Sequence, residues 1–128
     1  MKRKDEYIDN TEFEREIMVY RELGHPESNR LGQLLTDLHL GVLRSMTFSG
    51  YPQEAKDEMM RHSMHRILRT KFQSWDRSKG HRAFSYYTRA VVNNYMEWLR
   101  ADARRKRREK MQSDEWNALK DEFGLLLV

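Results

Sequence analysis

Apolar side chains in this chain recur at three- and four-residue steps from one end to the other, with no strand-like alternation at every second residue. That spacing admits helices and leaves no material for a sheet. Phe13, Ile17 and Tyr20 mark a first amphipathic helix from Thr11 to Leu23, capped by Asn10 or Thr11 and ended by Gly24-His25-Pro26. Leu31, Leu34, Leu35, Leu38, Val42 and Met46 form one stripe of a second helix, Ser28 to about Met46, in which Gly32 and Gly41 either weaken the helix or allow close packing. Phe48-Ser49-Gly50-Tyr51-Pro52 is a break, and a third helix spans Gln53 to Gln73. On it Met60, Met64, Ile67, Leu68 and Phe72 line the packing side, opposite Glu58, His62, His65 and Arg69.

After a polar link from Trp75 to Gly80, a fourth helix from about Ala83 to Lys110 turns Phe84, Tyr87, Val91, Tyr95 and Trp98 inward. A short acidic amphipathic piece, Ser113 to Glu122, follows with Trp116 and Leu119 on one side. The expected fold is therefore all-α: a small bundle of four to five helices with a long basic C-terminal helix and a short acidic-hydrophobic tail.

With 128 residues, 38% of them hydrophobic and 34% charged, a thin core and broad partner-facing helix sides are expected, as in an interaction module and unlike a deep-pocket enzyme. Cysteine is absent, which excludes disulfides, thiolate metal sites and cysteine nucleophiles. No Ser/His/Asp order, P-loop or glycine-rich fingerprint is present, and His62-x-x-His65 has no third ligand at a suitable spacing. No catalytic residue, metal or cofactor is expected. The basic start Met1-Lys2-Arg3-Lys4 runs into acidic residues, and no apolar run approaches the roughly 20 residues of a membrane span, so a protein neither secreted nor membrane-spanning is expected, with which a cytoplasmic location fits.

Charge is segregated along the chain. Residues 56–110 hold 16 basic and 6 acidic side chains, a net of +10, whereas residues 1–30 net −2 and residues 111–128 net −3. A block of that strength attracts a polyanion by counterion release, which makes nucleic acid the leading partner.

The stretch Trp75-Asp76, Lys79-Gly80-His81-Arg82 and Phe84-Ser85-Tyr86-Tyr87 resembles region 2 of the sigma-70 family, with one extra residue near Ala83. It is more similar still to the late-transcription sigma factors of T-even-type phages, which share a Phe-Ser-Gly-Tyr turn (here Phe48 to Tyr51), a Glu-Met pair (Glu58-Met59), an aromatic-Asp link (Trp75-Asp76) and a basic helix end (Arg104 to Lys110). The likeness covers about residues 28–110, leaving residues 1–27 as an acidic N-terminal helix and 111–128 as a tail.

That resemblance implies a bacteriophage sigma factor for late transcription, which binds core RNA polymerase through the clamp helices of its large subunit and directs initiation at −10-like promoter elements without a −35-reading domain. The implied polymerase contact is Glu58, Arg61, His62, His65 and Arg69, although relatives carry more acidic and amide residues there. The implied promoter-DNA surface comprises Lys79, His81, Arg82, Tyr86, Tyr87, Arg89, Asn94, Glu97 and Arg100, followed by the backbone-binding Arg104, Arg105, Arg107 and Arg108. Tyr87 stands where a sigma factor holds the flipped adenine, while periodicity favours Tyr86 as the surface ring. Ala90 and Val91 replace the tryptophan pair that props open the duplex in relatives. The tail, with Phe123, Leu125, Leu126 and Leu127, is similar to a peptide that plugs into a DNA sliding clamp; it serves that pocket or another transcription partner, or else packs on the core.

Two other readings fit the residues alone. One is an autonomous basic helical nucleic-acid-binding regulator; the other is a polymerase-binding adaptor or co-activator that does not read bases.

Overall fold

Asp9 starts the first helix: its carboxylate accepts the Glu12 backbone N–H at 3.1 Å, so α1 runs Asn10–Leu23 in the computed structural model, which describes residues 7–124. Neither Asn10 nor Thr11, the two expected caps, holds that position; the cap lies one residue before the first of them. Gly24 ends α1 at φ 79°, with its N–H on the Tyr20 carbonyl. Phe13 and Ile17 are fully buried on its inner side.

The second helix, α2, spans Arg30–Leu43, shorter at both ends than its apolar stripe suggests. Ser28 Oγ accepts the Arg30 N–H at 3.2 Å in a turn before the helix. Beyond Leu43 the chain leaves through turns in which the Ser45 carbonyl takes N–H bonds from Phe48 and Ser49, and Met46 ends up 97% exposed. Gly41 is present for close packing: a Cβ there would lie 2.1 Å from Cγ of Tyr7. Arg30 forks onto Glu12 at 2.6 and 2.9 Å, joining the start of α2 to α1.

The third helix, α3, spans Gln53–Arg69 and buries Met59, Ser63 and Ile67. The expected packing side is thus rotated by about one residue, with Met60 and Met64 half-buried and Leu68 49% exposed. Periodicity of apolar residues could not see a serine as the centre of the buried stripe. The helix stops four residues before Gln73 because Lys71 and Phe72 take positive φ angles of 53° and 58°. A phenylalanine in that conformation costs on the order of 1–3 kcal/mol, which burial of its ring offsets. Phe72 is 2% exposed and packs edge-on against Tyr20 and Tyr87. The Arg21 guanidinium of α1 holds the turn, donating from Nε to the Phe72 carbonyl at 2.6 Å and from Nη2 to the carbonyls of Phe72 and Trp75.

After a 3₁₀ turn at Arg77–Lys79, a single helix α4 runs Ala83–Phe123. The acidic piece at 113–122 is therefore no separate element. Between Lys110 and Ser113 there is neither glycine nor proline, and the helix meets no breaker until Gly124 at φ 62°. Four α-helices, one 3₁₀ turn and no strand make up the described residues.

The chain divides into two compact units, Met1–Met96 and Glu97–Val128, with the boundary inside α4. The first holds the core, in which Tyr87, Val91 and Tyr95 of α4 are buried with α1, α2 and α3. Phe84, expected inward, is half-buried beside Tyr7, at 6.0 Å between rings.

Candidate functional site

The link before α4 is polar in composition yet rigidly built. Asp76 accepts the Ser78 N–H at 2.9 Å and the Ser78 hydroxyl at 2.7 Å, which nucleates the 3₁₀ turn. Those two bonds hold its carboxyl below the ordinary aspartate range, so it stays ionised. Gly80 closes the turn at φ 81°. Trp75 is 1% exposed, with its Nε1 donating to the His81 carbonyl at 2.9 Å and the Arg21 cation 5.4 Å from its ring.

Between this link and the first turns of α4 lies a cleft of about 450 Å³. Lys79, His81, Tyr86 and Arg89, all expected at a nucleic-acid surface, line it together. Trp75, Asp76 and Asn93 are also among its lining residues. Tyr86, Arg89, Ala90 and Asn93 follow at helical spacing, so one face of α4 forms one wall. Ala90 contributes only a methyl group to that wall. Two fixed cations against one carboxylate give the cleft a positive balance.

The start of α4 has no capping side chain of its own sequence neighbourhood; α1 supplies it. Asn10 Oδ1 accepts the Phe84 N–H at 2.7 Å, and Glu14 Oε2 accepts the Ala83 N–H at 2.8 Å and Arg82 Nε at 3.4 Å. Burial pushes the Glu14 carboxyl up, but the bond from the Ala83 N–H and the neighbouring Asn10 amide and Arg82 charge outweigh it and leave it below its ordinary value. Arg82, expected as a DNA contact, is thus partly committed to Glu14.

The two tyrosines separate cleanly. Tyr87 is 1% exposed, edge-on to Phe13 at 5.6 Å and Phe72 at 5.5 Å, and burial pushes its hydroxyl up to about 12. Its ring is a core ring, unavailable to a base, which corrects the placement taken from the resemblance. Tyr86 is half-buried, stacks edge-on against Tyr87 at 5.0 Å and presents its other side to the cleft.

Asn94 is likewise turned to the interior. Its Nδ2 donates to Ser63 Oγ at 3.1 Å; Ser63 Oγ lies 2.8 Å from His39 Nε2; and His39 Nδ1 lies 2.8 Å from the Leu35 carbonyl. Because a carbonyl can only accept, His39 carries its proton on Nδ1, its Nε2 accepts from the serine, and the serine accepts from Asn94. Burial lowers His39 to about 4, against a smaller opposing effect of the Leu35 bond, so the ring is neutral. The Tyr95 hydroxyl closes the cluster on the His39 carbonyl at 3.1 Å. Asn93, one residue earlier and exposed in the cleft, is the amide that the sequence reading missed. The signal available was its helical register with Tyr86 and Arg89.

On α3, Glu58, Arg61, His65 and Arg69 are exposed along one ridge, while His62 is half-buried at its edge. Leu68 joins that ridge as an exposed apolar residue.

In the second unit Arg100, Arg104, Arg107 and Arg108 are exposed and Glu97 is half-buried. Arg105 is engaged by Asp102 at 2.6 Å and Glu109 at 2.9 Å, and Lys106 by Asp102 at 3.1 Å. The Arg105–Glu109 pair is exposed on both sides and therefore weak, about 0–1 kcal/mol, whereas Asp102 is largely covered by its two partners. Phe123 is 68% exposed. Leu125, Leu126 and Leu127 lie outside the described residues.

No protein-family model matches this chain, and no curated protein matches it. Among the described residues no group of three or more histidine, aspartate or glutamate side chains could hold a metal ion, and no helix is long and apolar enough to cross a membrane.

Proposed function

We propose that this chain is a promoter-specificity subunit of a bacterial-type RNA polymerase, a phage-type sigma factor that works at −10-like, late-type promoter elements without a −35-reading domain. The observation that supports it best is the cleft of Trp75, Lys79, His81, Tyr86, Arg89 and Asn93. An unstacked base entering it meets the Tyr86 ring, and stacking of this kind is worth about 1–3 kcal/mol per base. Lys79 and Arg89 at the rim hold the flanking phosphates. Asn93 offers the donor-acceptor pair that suits adenine. The cleft stands on a rigid 3₁₀ turn and a helix capped by α1, so little ordering is needed on binding.

The ridge of Glu58, Arg61, His65 and Arg69 on α3, with Leu68 as its apolar anchor, serves in this reading as the contact with the clamp helices of the large subunit. The basic run from Arg100 to Lys110 adds sequence-independent phosphate binding, with a steep salt dependence. A host-cell cytoplasmic setting and a sliding clamp that takes the C-terminal tail belong to the same reading.

The test is capture of purified bacterial core polymerase by the protein, followed by run-off transcription from an A·T-rich late-type promoter. Core binding with promoter-specific transcripts is expected, and Tyr86→Ala with Asn93→Ala should remove the transcripts while sparing core binding. Unaltered promoter choice in that variant would favour the adaptor that does not read bases. The exposed basic run favours a second reading, an autonomous nucleic-acid binder, and tight promoter binding without polymerase would establish that instead.

A further inference from the structure

Among the described residues, the second unit carries an apolar stripe that is left exposed. Trp116, Leu119 and Phe123 are 47%, 43% and 68% exposed, and with the exposed Gln112 they lie on one face of α4. Helices with such a stripe take most of their stability from covering it. The same face continues toward the N-terminal end of the unit as Arg108, Arg105 and Ala101, all exposed.

The spacing of this face is symmetric. Counting outward from Gln112, positions fall four, seven and eleven residues away in both directions: Arg108 and Trp116, Arg105 and Leu119, Ala101 and Phe123. Turning a second copy of the helix end for end about Gln112 therefore lays each large apolar residue on an alanine or on the aliphatic stem of an arginine. Arg108 meets Trp116, a cation against an indole face. Charge agrees with that direction and opposes the other. Residues 100–110 hold 7 basic and 2 acidic side chains and residues 113–123 hold 1 and 4, so antiparallel pairing sets +5 against −3 at both ends, whereas parallel pairing sets +5 on +5.

We propose that residues 100–123 form an antiparallel two-helix interface with a second copy of this chain, centred on Gln112. The overlap is about 36 Å of helix at roughly 1.5 Å per residue. Since Arg105 and Arg108 sit inside the interface, a polyanion and the second copy compete for the same segment.

Sedimentation equilibrium of the full-length protein, without polymerase or DNA, tests this independently of any transcriptional role. A reversible dimer at concentrations up to roughly 100 µM is expected, corresponding to about −5 to −6 kcal/mol; a monomer throughout overturns the proposal. Trp116→Ala with Leu119→Ala should weaken association at least tenfold, and unchanged association overturns it. Two charge-reversed chains give the sharper test. Arg104→Glu, Arg107→Glu and Arg108→Glu in one, and Asp114→Lys, Glu115→Lys, Asp121→Lys and Glu122→Lys in the other, should each be monomeric alone yet pair when mixed. Failure to pair on mixing overturns it. Direction is read by cysteines in this cysteine-free chain: Gln112→Cys should cross-link with itself and Leu119→Cys should not, while efficient self-linking of both would mean a parallel pair and overturn the antiparallel one.

Discussion

Asn94 donates from Nδ2 to the hydroxyl of Ser63 at 3.1 Å, and that single bond separates it from its neighbour Asn93, which faces the cleft. Two adjacent amides on one helix point some 100° apart. One is tied into the core network and the other is free to meet a ligand.

Asn94→Ala should therefore lower stability by about 1 kcal/mol, and Ser63→Ala by roughly 1–3 kcal/mol because His39 Nε2 is left buried without a donor. Asn93→Ala should leave stability within about 0.5 kcal/mol while weakening base discrimination by about 1–3 kcal/mol. Urea unfolding and promoter-competition transcription separate the two. An Asn94→Ala protein of full stability would sink the network.

His39 makes stability depend on pH in a defined window. The folded ring resists protonation until about pH 4 against an ordinary value of 6.5, so below 6.5 the unfolded chain binds a proton that the folded chain refuses. Stability is full above about pH 6.5 and falls as pH drops toward 4, by about 3 kcal/mol in all. Urea midpoints at several pH values should show this slope, and His39→Gln should flatten it. Carboxylates such as Glu12, lowered first by the hydrogen bond from Arg30, begin to lose their contribution as pH falls through the ordinary glutamate value of 4.5, at the acid end of the His39 window.

At Tyr87 the ring matters and the hydroxyl does not. Tyr87→Ala should cost about 3–5 kcal/mol by opening a hole between Phe13 and Phe72, whereas Tyr87→Phe should stay within roughly 1 kcal/mol. If Tyr87→Ala folded as stably as the parent and lost only promoter opening, the ring would be a base-binding group after all.

Gly41→Ala drives a methyl into the Tyr7 ring and should destabilise by about 1–3 kcal/mol. Pairing it with Tyr7→Ala should recover the clash part of that loss, giving a coupling visible in a double-mutant cycle. Additive effects would mean that the ring does not lie over Gly41.

The sequence by itself determined that the chain is helical, where three of its helices start and end to within a few residues, and that its positive charge lies between residues 56 and 110. These follow from local rules: apolar steps of three and four, turn residues, and side-chain charge, all of which act over a few neighbours. It also gathered Lys79, His81, Tyr86 and Arg89, because they lie within one turn and the first turns of the helix after it. What only the tertiary structure decided is which side each group faces. Ser63 is buried because His39 from α2 and Asn94 from α4 meet its hydroxyl, and no pattern on α3 announces that. Phe72 is core although it lies past the end of its helix, because Arg21, 51 residues away in sequence, holds its carbonyl. The start of α4 is capped by Asn10 and Glu14, so a sequence search beside Ala83 finds no cap. In each case the deciding partner comes from another helix, and contacts between distant residues are set by how the whole bundle packs.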